Sequence, residues 1–252
     1  MRFYELVRFA MGAIVAHPMR SALTSLGVVI GTAAVVMMTS IGLGAQQRVT
    51  EAIAGLGSNL IIVTPNFQRG PVAQAAGGGL SLTDGDVEAI AKQVENVAAV
   101  APAVRSQGQL AAEGANWNTR IEGVTPEYLV ARDLTIASGR MFDDREARQG
   151  RKVLVVGATV ARELWGEQDP VGKRVRVRSV PFEVIGVLES KGQSGFGQDQ
   201  DDLVLGPLTA VRSRLVGRRV RGDAVQTIYV KAVSEDTIDR VQEDVTNLLR
   251  DQ

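Results

Sequence analysis

The chain contains no cysteine and a single histidine, His17. Disulfide frameworks, thiolate zinc sites and cysteine nucleophiles are therefore excluded. Beyond His17 the usual nucleophile–base pairs and nitrogen- or sulfur-ligated metal sites are missing as well. A Ser–Lys pair stays open, although no motif recommends one. Asp199, Asp201 and Asp202 could ligate calcium, but their spacing lacks the turn glycine and terminal glutamate of an EF-hand loop. No Gly-x-x-x-x-Gly-Lys-Ser/Thr occurs, so the chain is not itself a Walker ATPase and no cofactor is expected within it. Lys173, Arg174, Arg176 and Arg178 form one local basic cluster, and Arg212, Arg214, Arg218, Arg219 and Arg221 another. Each reads as a solvated face, or as a surface for anionic lipid or a partner. The formal net charge is zero, which gives no support for nucleic-acid binding.

One polar string is chemically unusual: Lys191-Gly-Gln-Ser-Gly-Phe-Gly-Gln-Asp-Gln-Asp-Asp202. Gly192, Gly195 and Gly197 open backbone angles closed to other residues. Phe196 stands between two of them, able to anchor the loop inward or to project outward. Gln193, Gln198, Asp199, Gln200, Asp201 and Asp202 bring amide donors, acceptors and local negative charge. The segment is read as a partner-contact loop; the alternative is a structural hairpin whose groups satisfy one another.

The elements that must position this loop follow from periodicity. Asn59–Pro65 reads as a buried strand closed by proline. A glycine-rich, flexible stretch, Gly70–Gly79, comes next. Thr83 is placed as the N-cap of a helix with acids in its first turn. Val97–Leu110 and Asn116–Val124 read as strands, Pro126–Val130 as a helical turn, Lys152–Val156 as a strand, and Ala158–Leu164 as a helix. Arg174–Arg178 and Phe182–Val187 alternate as paired strands. Asp202–Gly206 and Thr227–Lys231 are further strands. Ser234 caps a last helix whose apolar face is Ile238, Val241, Val245, Leu248 and Leu249. Interleaved helices, strands and hairpins predict an α+β fold with two lobes.

The N-terminal quarter is different. No charged residue lies between Arg20 and Arg48. About 20 helical residues rising ~1.5 Å each cross a ~30 Å hydrocarbon core, so the run is long enough to span. A core helix would be shorter or amphipathic; a cleaved signal peptide has a shorter apolar region closer to Met1. Arg2, Arg8 and Arg20 precede the span against one acid, Glu5, and place that end in the cytoplasm. Residues 1–20 are read as an interfacial helix on the inner leaflet, or else as a frayed terminus. Residues 21–57 are read as a transmembrane helix extended outward as a stalk to Gly55 and Gly57. Gly27 and Gly31 form a Gly-x-x-x-Gly, a surface for close packing of a second helix.

Several strings carry a family resemblance. Ala22–Gly31, Ser40–Ala45 and Leu56–Leu60 resemble the first membrane helix and stalk of MacB-type, FtsX-like ABC transporter permeases. Asn116–Thr119, Gly123–Pro126, Ser138–Arg140, Asp169–Gly172, Val180–Leu188 and the Lys191–Asp202 loop continue the resemblance in order along the chain.

The resemblance implies a single N-terminal transmembrane helix with stalk, followed by a two-lobed mixed α/β periplasmic domain. Residues 59–110 and 222–252 are expected to form a membrane-proximal α/β subdomain, and 111–221 an inserted β-rich subdomain. The implied function is mechanotransmission: a permease dimer whose periplasmic domains move as an ATPase subunit hydrolyses ATP with Mg, in export or efflux. Implied partners are that ATPase, a second permease copy, a periplasmic adaptor, an outer-membrane duct in two-membrane bacteria, and membrane lipid. The implied location is the cytoplasmic (inner) membrane, single-pass as given, with the N-terminus inside and the main domain periplasmic or extracellular. Two departures stand out: only about 20 residues precede the first helix, where the MacB type carries its ATPase, and the sequence stops at Gln252, where the family's return path to further spans is expected to begin. The ATPase is therefore expected on a separate chain. The competing reading is a membrane-tethered interaction or adaptor module without transport activity; an outer-face enzyme is a third.

Overall fold

The computed structural model describes residues 8, 18–54, 59–65, 82–194, 197–216 and 222–250. The expected interfacial helix, the glycine-rich stretch 70–79, Gly55, Gly57, Gly195, Phe196, Arg218, Arg219 and Arg221 lie outside or largely outside these. The chain divides into two compact units, residues 1–51 and 52–252.

The first unit is helical. Helix α1, Pro18–Ala54, runs without interruption through the apolar segment and on into the expected stalk. Its Pro18–Gly44 portion, 27 residues, is long and apolar enough to cross a membrane, and none of it is buried in a protein core. Leu23, Leu26, Val28, Val29, Ile30, Val35, Val36 and Ile41 are exposed on all sides, as suits a helix solvated by lipid. Its threonines satisfy themselves: Thr24, Thr32 and Thr39 donate to the carbonyls of Arg20, Val28 and Val35 at 2.9, 2.9 and 3.0 Å. A Cβ on Gly27 or Gly31 would meet nothing within 4 Å, so the small-residue groove is open in the single chain.

The second unit is α+β. Strand β1, Leu60–Val63, pairs with β11, Thr227–Ala232, which pairs with the long β3, Val97–Ala112. Helix α2, Asp84–Gln93, follows the short strand β2, Leu82–Thr83. Thr83 caps it in a reciprocal box with Asp86, the local reason the helix starts there. The last helix, α7 (Ile238–Arg250), is preceded by a 3-10 turn at Glu235–Thr237 with Ser234 as N-cap. Val241 and Val245, one turn apart, are buried on Ile228, Val230 and Ala232 together with Ile90 of α2. Each buried valine contributes about 1.5–3 kcal/mol of apolar transfer. The alternate residues of β11 and β1, Tyr229 and Ile62, face the opposite side of this sheet.

The remaining strands close on themselves. β3 pairs with β4 (Ala115–Val124), β4 with β9 (Leu203–Pro207), β9 with β6 (Val153–Val156), and β6 with β8 (Val180–Leu188). β8 pairs with β7 (Arg174–Val177), and β7 returns to β3 through Leu110 and Ala111. The ring leaves no free edge among these six strands. Leu110, Ile121, Leu154, Val156, Val175, Val177, Phe182, Val184 and Val204 form its core with helix α5, Ala158–Trp165. β3 therefore serves both layers: its first half belongs to the open sheet and its second half to the ring. The boundary expected at Leu110 falls inside this one strand.

Four shorter elements complete the unit. They are α3 (Tyr128–Ala131), β5 (Ile136–Gly139), α4 (Asp144–Gln149), and α6 (Leu208–Val211) with a wider turn to Val216. A two-stranded ladder joins β2 to β10, Ala224–Val225. The basic clusters partly dissolve into structure. Arg212 makes a bidentate pair with Asp84 at 2.8 Å, Arg178 donates to the carbonyls of Leu215 and Gln107, and Lys173 meets Glu113.

Candidate functional site: the Lys191–Asp202 loop and the cavity beneath it

The loop leaves β8 and returns into β9. Its stem is set by Asp201, which is 7% exposed. The Asp201 carboxylate accepts from Ser190 Oγ at 2.5 Å and from the backbone N–H groups of Lys191 and Gly192 at 2.8 and 2.9 Å. Charge-assisted bonds of this kind are about twice as strong as neutral ones, so a buried carboxylate is tolerated here. Asp199 accepts from Thr159 Oγ1, at the start of α5, and from the Asp201 N–H, both at 2.8 Å. Asp202 accepts from the Trp117 indole at 2.9 Å. The three aspartates thus face three different directions, each already engaged by donors.

The two arms of the loop pair closely on either side of its tip. Gln193 and Asp199 pair, Ser194 N–H donates to the Gln198 carbonyl at 2.8 Å, and Gln200 N–H to the Gly192 carbonyl at 3.1 Å. Gly192 and Gly197 both sit at φ 74°, where a side chain would be strained. Gln193, Gly197 and Gln198 are exposed, and Gln200 is half-buried. The glutamines Gln193 and Gln198, rather than the bonded aspartates, therefore offer free surface on this loop.

Under the loop lies a cavity of about 270 Å³ where the open sheet meets the ring. Ile62, Tyr229, Arg105, Arg120 and Glu122 come to it from β1, β11, β3 and β4, while Lys191, Ser194 and Gln198–Gln200 form its rim. Glu122, 4% exposed, accepts from Tyr128 Oη at 2.5 Å and pairs with Arg105 Nε at 3.2 Å. Burial, and then the Glu122 charge, hold the Tyr128 phenol well above its ordinary pKa. Burial opposes the Arg105 charge, but Glu122 and Tyr229 outweigh it and raise its pKa. Tyr128 and Tyr229 stack edge-on with centroids 5.3 Å apart, and Arg132 lies over the Tyr229 ring at 5.4 Å.

Sequence reading reached the loop but not this cavity. Its residues come from six separate segments, and on alternating strands an Arg or Glu reads as a solvent-facing position. One available signal is tyrosine, of which the chain has three; two of them meet here.

A family model described as "MacB-like periplasmic core domain" matches residues 21–248. The chain belongs to that family. Among curated MacB relatives, each named "Macrolide export ATP-binding/permease protein MacB", that of Rhodospirillum rubrum is 42% identical over 250 residues, covering 98% of this chain and 37% of the relative. That of Bdellovibrio bacteriovorus is 37% identical over 237 residues, covering 94% and 36%. The chain thus spans little more than a third of these relatives. The crystal structure of the periplasmic region of MacB from Actinobacillus actinomycetemcomitans superposes with TM-score 0.62 at 23% identity, covering 79% of this chain and 86% of that one. The extracellular domain of the noncanonic ABC-type transporter YknZ from Gram-positive bacteria gives TM-score 0.60 at 21% identity, covering 77% and 94%. At these identities the two structures speak for the MacB-like fold alone. A candidate membrane helix followed by a MacB-like periplasmic-type domain is the arrangement of an inner-membrane permease component.

Proposed function

We propose that this chain is the first membrane helix and outer domain of a MacB-like ABC transporter permease. In this reading it passes the movement driven by an ATPase partner to its periplasmic domain, in export or efflux. The observation carrying the reading is that the family match begins inside the candidate span and runs through the outer domain, so helix and domain both fall within one family description. The extension of α1 beyond the apolar segment as far as Ala54 supports a helical stalk, the kind of connection that transmission of a stroke calls for and simple tethering does not. The N-terminus then lies in the cytoplasm. A second permease copy packs at Gly27 and Gly31, a periplasmic adaptor is contacted through Gln193 and Gln198, and ATP and Mg belong to the ATPase partner.

The test softens the link. In the transporter assembled with its natural partners, a Gly-Ser-Gly-Ser insertion after Ala54 is expected to abolish export while leaving expression, membrane insertion and ATP hydrolysis in place. Full export with the insertion would defeat mechanotransmission and favour a tethered interaction module.

A further inference from the structure

We propose that the cavity beneath the Lys191–Asp202 loop binds an oxyanion, a carboxylate or phosphate group carried on a small organic body, held chiefly by Arg132 with Arg120 and Lys191. This site does not depend on the transport reading. Charge is the first argument. Four cations, Arg105, Arg120, Arg132 and Lys191, and two acids, Glu122 and Asp199, line the cavity. Both acids are already engaged: Glu122 by Arg105 and Tyr128, Asp199 by Thr159 and the Asp201 N–H. Among the described residues, Arg120, Arg132 and Lys191 pair with no carboxylate.

The second argument is an unanswered donor. The Arg132 Nε is shielded from solvent and has no hydrogen-bond partner among the described residues. A shielded N–H costs stability unless an acceptor reaches it, and a guanidinium offers two such donors side by side to an oxyanion. Lys191 adds to the case: its Nζ donates to the Arg132 carbonyl at 2.9 Å, which holds the two cations side by side, and burial, then the Arg132 charge, push its pKa down. A bound anion between them relieves that repulsion. Size and lining argue for more than a bare ion. The cavity of about 270 Å³ exceeds what one phosphate group fills, and Ile62, Leu134 and Leu203 supply an apolar wall.

The experiment uses the full chain in phosphatidylcholine nanodiscs at fixed ionic strength, with chloride as reference. Inorganic phosphate and propionate are titrated while unfolding is followed by the fluorescence of Trp117 and Trp165. A saturable rise in melting temperature with at least one of them is expected. Arg132→Gln should raise the half-saturating concentration by roughly tenfold or more, since a charge-assisted bond is lost. Arg120→Gln, at an exposed position, repeats the test should Arg132→Gln fold poorly. Arg174→Gln, outside the cavity, measures the general stabilisation that excluded anions give any fold. Nanodiscs carrying phosphatidate without free phosphate separate the sources: a rise there assigns the oxyanion to a lipid headgroup, and a rise only with the free ions assigns a soluble ligand. No saturable rise in any arm, or the same rise in all variants, overturns the site.

Discussion

The Tyr128 hydroxyl donates to a Glu122 carboxylate oxygen at 2.5 Å, and the two residues are only 2% and 4% exposed. Between them they fix the floor of the cavity, because Glu122 in turn holds Arg105. Tyr128→Phe keeps the ring and its packing on Tyr229 but leaves a buried carboxylate oxygen without its donor. The expected loss is about 1–3 kcal/mol of unfolding free energy. In a cycle with Glu122→Leu, the double variant should lose less than the sum of the singles, by about 0.5–3 kcal/mol. Urea unfolding of the four proteins checks this, and simple additivity would show that the two groups act independently.

A pH dependence follows from α4. Arg140 makes a bidentate pair with Glu146 at 2.7 and 2.9 Å, and Asp143 N–H donates to the same carboxylate at 3.1 Å. The Arg140 hydrogen bond, with a smaller contribution from Asp143, lowers the Glu146 pKa from 4.5 to about 2. A folded-state pKa below the unfolded one contributes stability that is fully present above pH 4.5 and is lost as pH falls toward 2. The melting-temperature advantage of the parent over Glu146→Gln should therefore be constant from pH 7 to 5 and shrink below pH 4.5. A gap that stays level across that window would refute the linkage.

Much of this arrangement can be read in one dimension, and the reasons are local. Thr83 followed by Asp86 is a capping box, and Arg174–Val177 against Val180–Leu188 is a hairpin whose alternation needs no distant information. Helix α4 carries the same kind of signal in Asp143 and Glu146, yet its apolar content is too small for periodicity to find it. β5 is short and is held by Gly139 and Ile136 pairing with β8. Closure of the ring was not legible, since it rests on two residue pairs, Leu110 with Val177 and Ala111 with Arg176, far apart in sequence. The loop glycines were visible, whereas the inward commitment of Asp201 depends on the backbone N–H groups that the folded stem gathers around it.

Close approach at the loop stem gives another prediction. Gly157, the N-cap of α5, donates to the Leu203 carbonyl at 2.9 Å, and a Cβ there would lie 2.1 Å from the Asp201 carbonyl oxygen. The obstacle is backbone, so no rotamer change removes it. Gly157→Ala should cost at least about 1–3 kcal/mol, as overpacked sites do. It should also shift Trp117 fluorescence, because the Asp202 contact moves with the stem. An unshifted spectrum and melting temperature would mean that the stem has room to relax.

The two kinds of residue in the loop should separate in one further experiment. Asp201 is the stem's acceptor for three donors, whereas Gln198 is exposed and its side chain makes no bond among the described residues. Asp201→Ala strands those donors and should destabilise the domain by about 1–3 kcal/mol, with faster proteolysis inside 191–202. Gln198→Ala, alone or with Gln200→Ala, should change stability by no more than about 0.5 kcal/mol, as for surface substitutions generally. If the exposed tip is a contact surface, the glutamine variants should instead weaken pull-down of the candidate adaptor or of a second permease copy, with the melting curve unchanged. Undiminished capture by the glutamine variants, beside the loss of stability in Asp201→Ala, would show that the loop acts only as scaffold for the ring and for the cavity below it.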